Sequence, residues 1–190
     1  MKNLIKISTV LLFVAVFSDN IKAQVKGSAG LELGFALESN FGIMYGVSGG
    51  GEYAMGDKGG ITATVGYIFN TPDVSGFDKY SLNFLPIQLG YKYYFDSNES
   101  GFYAHGQFGV HMMMSSIEYT FTTYDVDPVT FQLTPREEKI SESDSQTNLS
   151  YAIGAGYLVN ENIDLGLRYN SIIADGGDFS YIAVRAAYNF

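Results

Sequence analysis

Cysteine and tryptophan are absent from this sequence, and proline and basic residues are scarce. Without cysteine there is no disulfide, no thiolate metal site, no thiol nucleophile and no lipobox of the lipoprotein type. Acidic residues outnumber basic ones, 20 to 11. Setting aside the first 23 residues leaves 8 basic against 19 acidic, a net charge of −11. That balance argues against nucleic acid as a partner and against unaided binding to anionic headgroups. No run of about 20 apolar residues occurs beyond the amino terminus, so no helix can cross a bilayer. No motif for a cofactor or a metal stands out.

The amino terminus has a definite pattern. Lys2 and Lys6 precede an apolar stretch, Ile7 to Phe17, too short to span a membrane as a helix. Ile21-Lys22-Ala23 offers a small residue at a cleavage point. Residues 1–23 therefore read as a secretory signal peptide, and 24–190 as one domain beginning at Gln24.

What is abundant is glycine (22), tyrosine (15) and phenylalanine (14), arranged with a period of two. The last stretch shows it best. Ile182, Val184, Ala186, Tyr188 and Phe190 form one wholly apolar row; Tyr181, Ala183, Arg185, Ala187 and Asn189 form the other. Alternation of this kind is a strand signal. It recurs about eight times, over 28–37, 41–55, 60–69, 80–95, 101–113, 147–159, 163–172 and the terminal run. Gly49-Gly50-Gly51 suggests a bulge or sharp bend, and Pro86 should lie near a strand start or at a bulge. Gly56-Asp57-Lys58-Gly59 and Asn160-Glu161-Asn162 are tight turns, and Glu38-Ser39-Asn40 a short one. The connections after runs two, four and six are tight, while those after three, five and seven tend to be longer. The longest, 114–146, is polar and acidic.

The apolar rows carry almost no charge, whereas Glu32, Glu52, Lys92, Asp164, Arg168 and Arg185 fall on the opposite rows among many glycines. A soluble barrel turns its bulky side inward and covers the outside with Lys and Glu. Here the second face is too small for a water-exposed surface. It suits the interior of a narrow barrel that eight strands would just fill. The bulky face then meets lipid, and closure satisfies every backbone group. Aromatics gather at both strand ends: Tyr53, Tyr91, Tyr93, Phe95, Phe102, Tyr157, Tyr188 and Phe190 on the turn side, and Phe41, Tyr67, Phe69, Tyr80, Tyr169 and Phe179 on the loop side. Two such girdles suit the two membrane interfaces.

With its signal peptide, its alternating runs and its terminal Tyr188-Asn189-Phe190, the chain resembles small bacterial outer-membrane β-barrels of the OmpA/OmpX/OmpW-like kind. The resemblance implies an all-β, eight-stranded, antiparallel, up-and-down transmembrane barrel in the bacterial outer membrane, with both termini periplasmic. It implies outer-membrane lipid and lipopolysaccharide as surroundings, and an assembly signal at Tyr188 and Phe190 read by the barrel-assembly machinery. The family is functionally mixed, so fold alone does not select a role. The expectation is a non-enzymatic barrel without a cofactor, with a structural or surface-interaction role and an extracellular ligand at residues 115–146. The runner-up is a conduit for small apolar solutes.

Two groups of residues are candidates for chemistry. His105 and His111 lie roughly 20 Å apart along one strand and cannot share a metal; they read as hydrogen-bonded lumen residues. Ser115 and Ser116 follow His111, but no His-x-Ser pattern occurs. Asp125, Asp127, Glu137, Glu138, Glu142 and Asp144 lack calcium-loop spacing, so they read as a solvated acidic loop. Ile117, Tyr119 and Phe121 alternate, so this loop is expected to start as a projecting hairpin. In the lumen, Glu32 is expected between Arg168 and Arg185, with Lys92 serving Glu52 and Asp164, because isolated buried charges are costly.

Overall fold

A computed structural model describes residues 25–38, 41–71, 79–96, 101–126, 133–174 and 176–190. The expected signal peptide and Ser39-Asn40 lie outside the described residues. Eight strands form one closed antiparallel ring: β1 Val25–Ala36, β2 Ile43–Ala54, β3 Gly59–Phe69, β4 Lys79–Tyr94, β5 Gly101–Val126, β6 Leu133–Leu158, β7 Ile163–Ile173 and β8 Phe179–Asn189. Each strand pairs with the next, and β8 returns to β1 with Glu32 opposite Arg185. The ring leaves no unpaired edge within the wall, which alternating strands of this kind need when both sides of the sheet are apolar or packed.

Strand parity sorts the side chains. Leu31 is 68% exposed, and the next residue, Glu32, only 5%. Leu33, Val47, Val65, Leu89, Phe108, Ile153, Leu167 and Val184 likewise lie on the outside. A contiguous apolar wall of this size has no place in water. Gly56, at φ 71°, makes the β2–β3 turn, which Met55 N–H closes by donating to Gly59 O at 2.7 Å.

Several expectations are corrected. The Gly49–Gly51 run makes no bulge: its ladders to β1 and β3 are continuous. The glycine serves close packing instead, since a Cβ on the inward Gly50 would sit 2.6 Å from Ala63 O. Pro86 is mid-strand, without a register shift. The β3–β4 ladder stops at Val65↔Ile87 and resumes at Ile68↔Phe84, so the missing N–H falls in the gap. The long polar stretch is not a loop. β5 and β6 stay paired from Met114↔Ser145 to Val126↔Leu133, and beyond Glu118 they run on as a two-stranded hairpin. The length asymmetry between the barrel's two ends thus resides in these strands. The β7–β8 connection, 174–178, is short.

The loop-side girdle is also thinner than expected. Phe179 is buried, because it shares parity with Tyr181 and Arg185 and points into the bore, where Phe41 packs edge-on against it at 5.2 Å. The turn-side aromatics all remain exposed, with Phe102–Tyr157 and Tyr93–Phe95 in edge contact.

Candidate functional site

Inward parity stacks the lumen in layers. At the turn end, Tyr94, Tyr103 and Leu158 form a small buried cluster. Beside it Lys92 bridges two acids, donating to Asp164 Oδ2 at 3.0 Å and lying 3.4 Å from Glu52 Oε2. Tyr103 Oη donates to Asp164 Oδ1 at 2.5 Å, and Tyr94 Oη to Glu52 Oε2 at 2.9 Å. Lys92 Nζ also sits 4.4 Å from the Tyr103 ring centre.

One level further in, Arg168 Nη2 donates to Glu32 Oε1 at 2.6 Å, and its Nη1 to Gln107 Oε1 at 2.8 Å. Arg185 Nε lies 3.7 Å from the same Glu32 oxygen, while its Nη1 is 3.8 Å from Asp164 Oδ2. The Arg185 guanidinium also donates to Ser48 Oγ and Ser28 Oγ. The six charged side chains are thus one connected chain of contacts, with Arg185 joining the two levels. All are largely removed from solvent, and three acids face three bases. Such pairing is what makes burial of ions tolerable.

Above the charges lies a layer that the sequence reading missed. Met44, Ile68, Leu82, Phe84, Ile172, Phe179, Tyr181 and Ala183 form one buried apolar cluster. Phe84 stacks on Phe179 at 5.1 Å. The signal was present in strand parity: Met44 and Ile68 fall on the same rows as Glu52 and Thr62, but only toward the hairpin end. A cavity of about 40 Å³, lined in part by Ser28, Thr62, Thr64, His105 and Asn189, is left in the charged half. It is room for a few water molecules.

The histidines are tied into this packing. His105 Nε2 pairs with Thr62 Oγ1 at 2.9 Å, and His111 Nε2 with Tyr181 Oη at 3.0 Å. Ser116 shares a hydrogen bond with Ser143, so no Ser–His pair forms among the described residues. Nor does any group of three acid or histidine side chains there stand close enough to hold a metal ion. Glu38, at the start of the short turn after β1, accepts from Ser180 N–H at 2.9 Å.

At the carboxyl terminus, Phe190 N–H donates to Gly27 O at 2.9 Å, and Gly27 N–H donates back to Phe190 O at 3.2 Å. The Phe190 ring lies over Gly27, where a Cβ would come within 2.5 Å of it. Tyr188 stands outward beside Ile163. At the other end, the hairpin's two bases are engaged: Lys139 with Glu118 at 2.8 Å, and Arg136 with Asp125 and Glu138 near 4 Å.

Comparison with known proteins agrees with this architecture. No curated protein matches the sequence. The crystal structure of Ail, the attachment invasion locus protein of Yersinia pestis, superposes with a TM-score of 0.60 at 14% identity, covering 88% of this chain and 98% of that one. The N-terminal β-barrel domain of Pseudomonas aeruginosa OprF gives 0.52 at 13% identity, covering 87% and 97%. Neisserial surface protein A gives 0.50 at 16%, covering 87% and 95%. Residues 8–190 match the outer membrane protein beta-barrel domain, and the chain belongs to that family of bacterial outer-membrane β-barrels.

Proposed function

We propose that this protein is a non-enzymatic outer-membrane barrel whose closed body anchors a surface hairpin, residues 115–146, that engages an extracellular ligand. The observation that carries this reading is the pairing of a filled bore with a hairpin that outreaches its neighbours. β4 accompanies β5 only to Lys79↔Glu118, and β7 accompanies β6 only to Ile173↔Leu149. In this reading the turn end and both termini face the periplasm, and the apolar wall meets outer-membrane lipid, with lipopolysaccharide around the hairpin end. Tyr188 and Phe190 serve as the signal for the barrel-assembly machinery. The lumen charges hold the wall's shape.

A conduit for apolar solutes draws no support from the bore, where an ion-paired layer and an apolar layer follow one another. Ligand class differs from that of one structural neighbour as well. Ail has been crystallised with the heparin analogue sucrose octasulfate. Here residues 115–146 carry seven acids and two bases, which disfavours a polyanion.

Two measurements test the proposal. Protease or antibody applied to intact cells should reach the 115–146 hairpin and spare 56–58 and 160–162; the reverse pattern refutes the topology. The purified barrel in planar bilayers should show no steady conductance and should not speed uptake of small apolar solutes into vesicles. Sustained conductance or uptake would favour the conduit.

A further inference from the structure

Outside the barrel wall, β6 has a long edge with no second partner strand among the described residues. From Leu133 to Asn148 it pairs there with β5 alone, because β7 joins only at Leu149. The equivalent free edge of β5, beyond Glu118, is shorter. Unpaired edges invite another strand, and proteins usually block them with proline, bulges or lysine. Between Arg136 and Asn148 there is no proline, one lysine and an unbroken ladder to β5.

The two sides of this edge differ. The side continuous with the lumen carries Glu138, Ile140, Glu142 and Asp144 on β6, with Ile117, Tyr119 and Phe121 opposite on β5. Tyr119 faces Ile140, and Phe121 faces Glu138. The other side carries Glu137 and Lys139, one charge of each sign, and then the small neutral Ser141, Ser143, Ser145 and Thr147. Glu137, Glu142 and Asp144 are exposed, and none of them has a basic partner among the described residues.

Resting on the surface-hairpin reading, we propose that the β6 edge from Arg136 to Asn148 takes an added strand from a cationic, extended peptide segment. The incoming strand's basic side chains alternate so that they meet Glu138, Glu142 and Asp144. Its backbone completes the ladder, and charge selects it, because opposite charges on neighbouring strands attract and like charges repel. A second copy of the chain is the wrong occupant, since it would set acidic row against acidic row.

The test uses the full-length barrel in nanodiscs, with synthetic peptides of about ten residues, a common strand length. The probe alternates Lys and Val. One control alternates Glu and Val; another keeps the Lys-Val sequence but carries a methyl on every backbone nitrogen, so that charge survives and ladder donors do not. Calorimetric titration should show binding of the probe, with both controls weaker by at least about tenfold. Amide exchange should slow across 136–148 and not in β2. The triple variant Glu138→Gln/Glu142→Gln/Asp144→Asn, whose changes lie outside the barrel, should lose about tenfold in affinity while its heat-modifiable mobility is unchanged. Equal binding of the methylated peptide, or full affinity in the triple variant, overturns the proposal. If cell-surface labelling reaches the 115–146 hairpin but the probe does not bind, this inference fails alone; if labelling does not reach it, the surface reading itself fails.

Discussion

Removing the Glu32 carboxylate should damage the barrel more than any other single charge removal on its strand. Its oxygen sits 2.6 Å from Arg168 and 3.7 Å from Arg185. At an effective dielectric of about 20, each contact contributes on the order of 4–6 kcal/mol of Coulomb attraction. Dehydrating the ions cancels much of that. In Glu32→Ala the acid's desolvation is recovered, but two guanidiniums are left near each other in a bore with room for only a few water molecules, too few to hydrate both fully. The expected loss is about 3–5 kcal/mol. Glu161→Ala, in the exposed β6–β7 turn, should change stability by less than about 0.5 kcal/mol. Adding Arg168→Ala to Glu32→Ala should restore part of the loss, with a coupling of about 1–3 kcal/mol. Arg185 would still have Asp164 at 3.8 Å and the hydroxyls of Ser28 and Ser48. The assay is urea titration in lipid vesicles, read by heat-modifiable gel mobility and tyrosine fluorescence, since the chain has no tryptophan. A Glu32→Ala loss under about 1 kcal/mol, or strict additivity in the double variant, would refute the reasoning.

Phe84→Ala removes a fully buried ring from the stack on Phe179 and should cost about 3–5 kcal/mol in the same titration, as in a soluble core. Gly109→Ala should be poorly tolerated, because its Cβ would run into the Ile87 backbone carbonyl, whereas Gly106→Ala, with open space around it, should fold like the parent. Phe190→Ser should lower the folded fraction recovered in the outer membrane, read by fractionation; unchanged levels would count against the assembly-signal role. Replacing 119–141 by a tight turn should leave the melting of the barrel unchanged, because the β4–β5 and β6–β7 ladders lie below the cut.

The strand order, the closure and the outward face were legible because period-two alternation survives in every wall strand. The same parity put Glu32, Arg168 and Arg185 on one side of the wall, and their mutual distances depend on register. β8 meets β1 with Arg185 opposite Glu32, and β7 meets β8 with Gly166 opposite Arg185. Counting residues from the turn ends approximates this because the turns are short and the ladders there have no bulge. The apolar upper layer was not legible for a related reason. Treating the inward rows as uniformly small and polar averages over their length, and Met44, Ile68, Leu82, Phe84 and Ile172 differ from their row-mates only by height. The hairpin was underestimated because β6 from Arg136 to Gln146 is polar on both rows apart from Ile140. Alternation of apolar against polar side chains vanishes there even though the backbone pairing continues.

The lumen and the hairpin are mechanically one object. β5 and β6 leave the wall without a break in their ladder, so the hairpin inherits its direction and twist from the barrel beneath it. A hollow eight-stranded wall could breathe, and the projecting strands would swing with it. Here β5 is tied across the bore through Tyr103 to Asp164, Gln107 to Arg168 and His111 to Tyr181, at three successive heights. Each tie joins the hairpin's root to β7 or β8. For a solute to pass, Phe84, Phe179 and Tyr181 would have to separate and the Arg168–Glu32 contact would have to open, releasing those same ties. Passage and a steady hairpin therefore compete for the same contacts. A bore packed this way favours a protein that holds an edge in place for binding over one that opens to let molecules through.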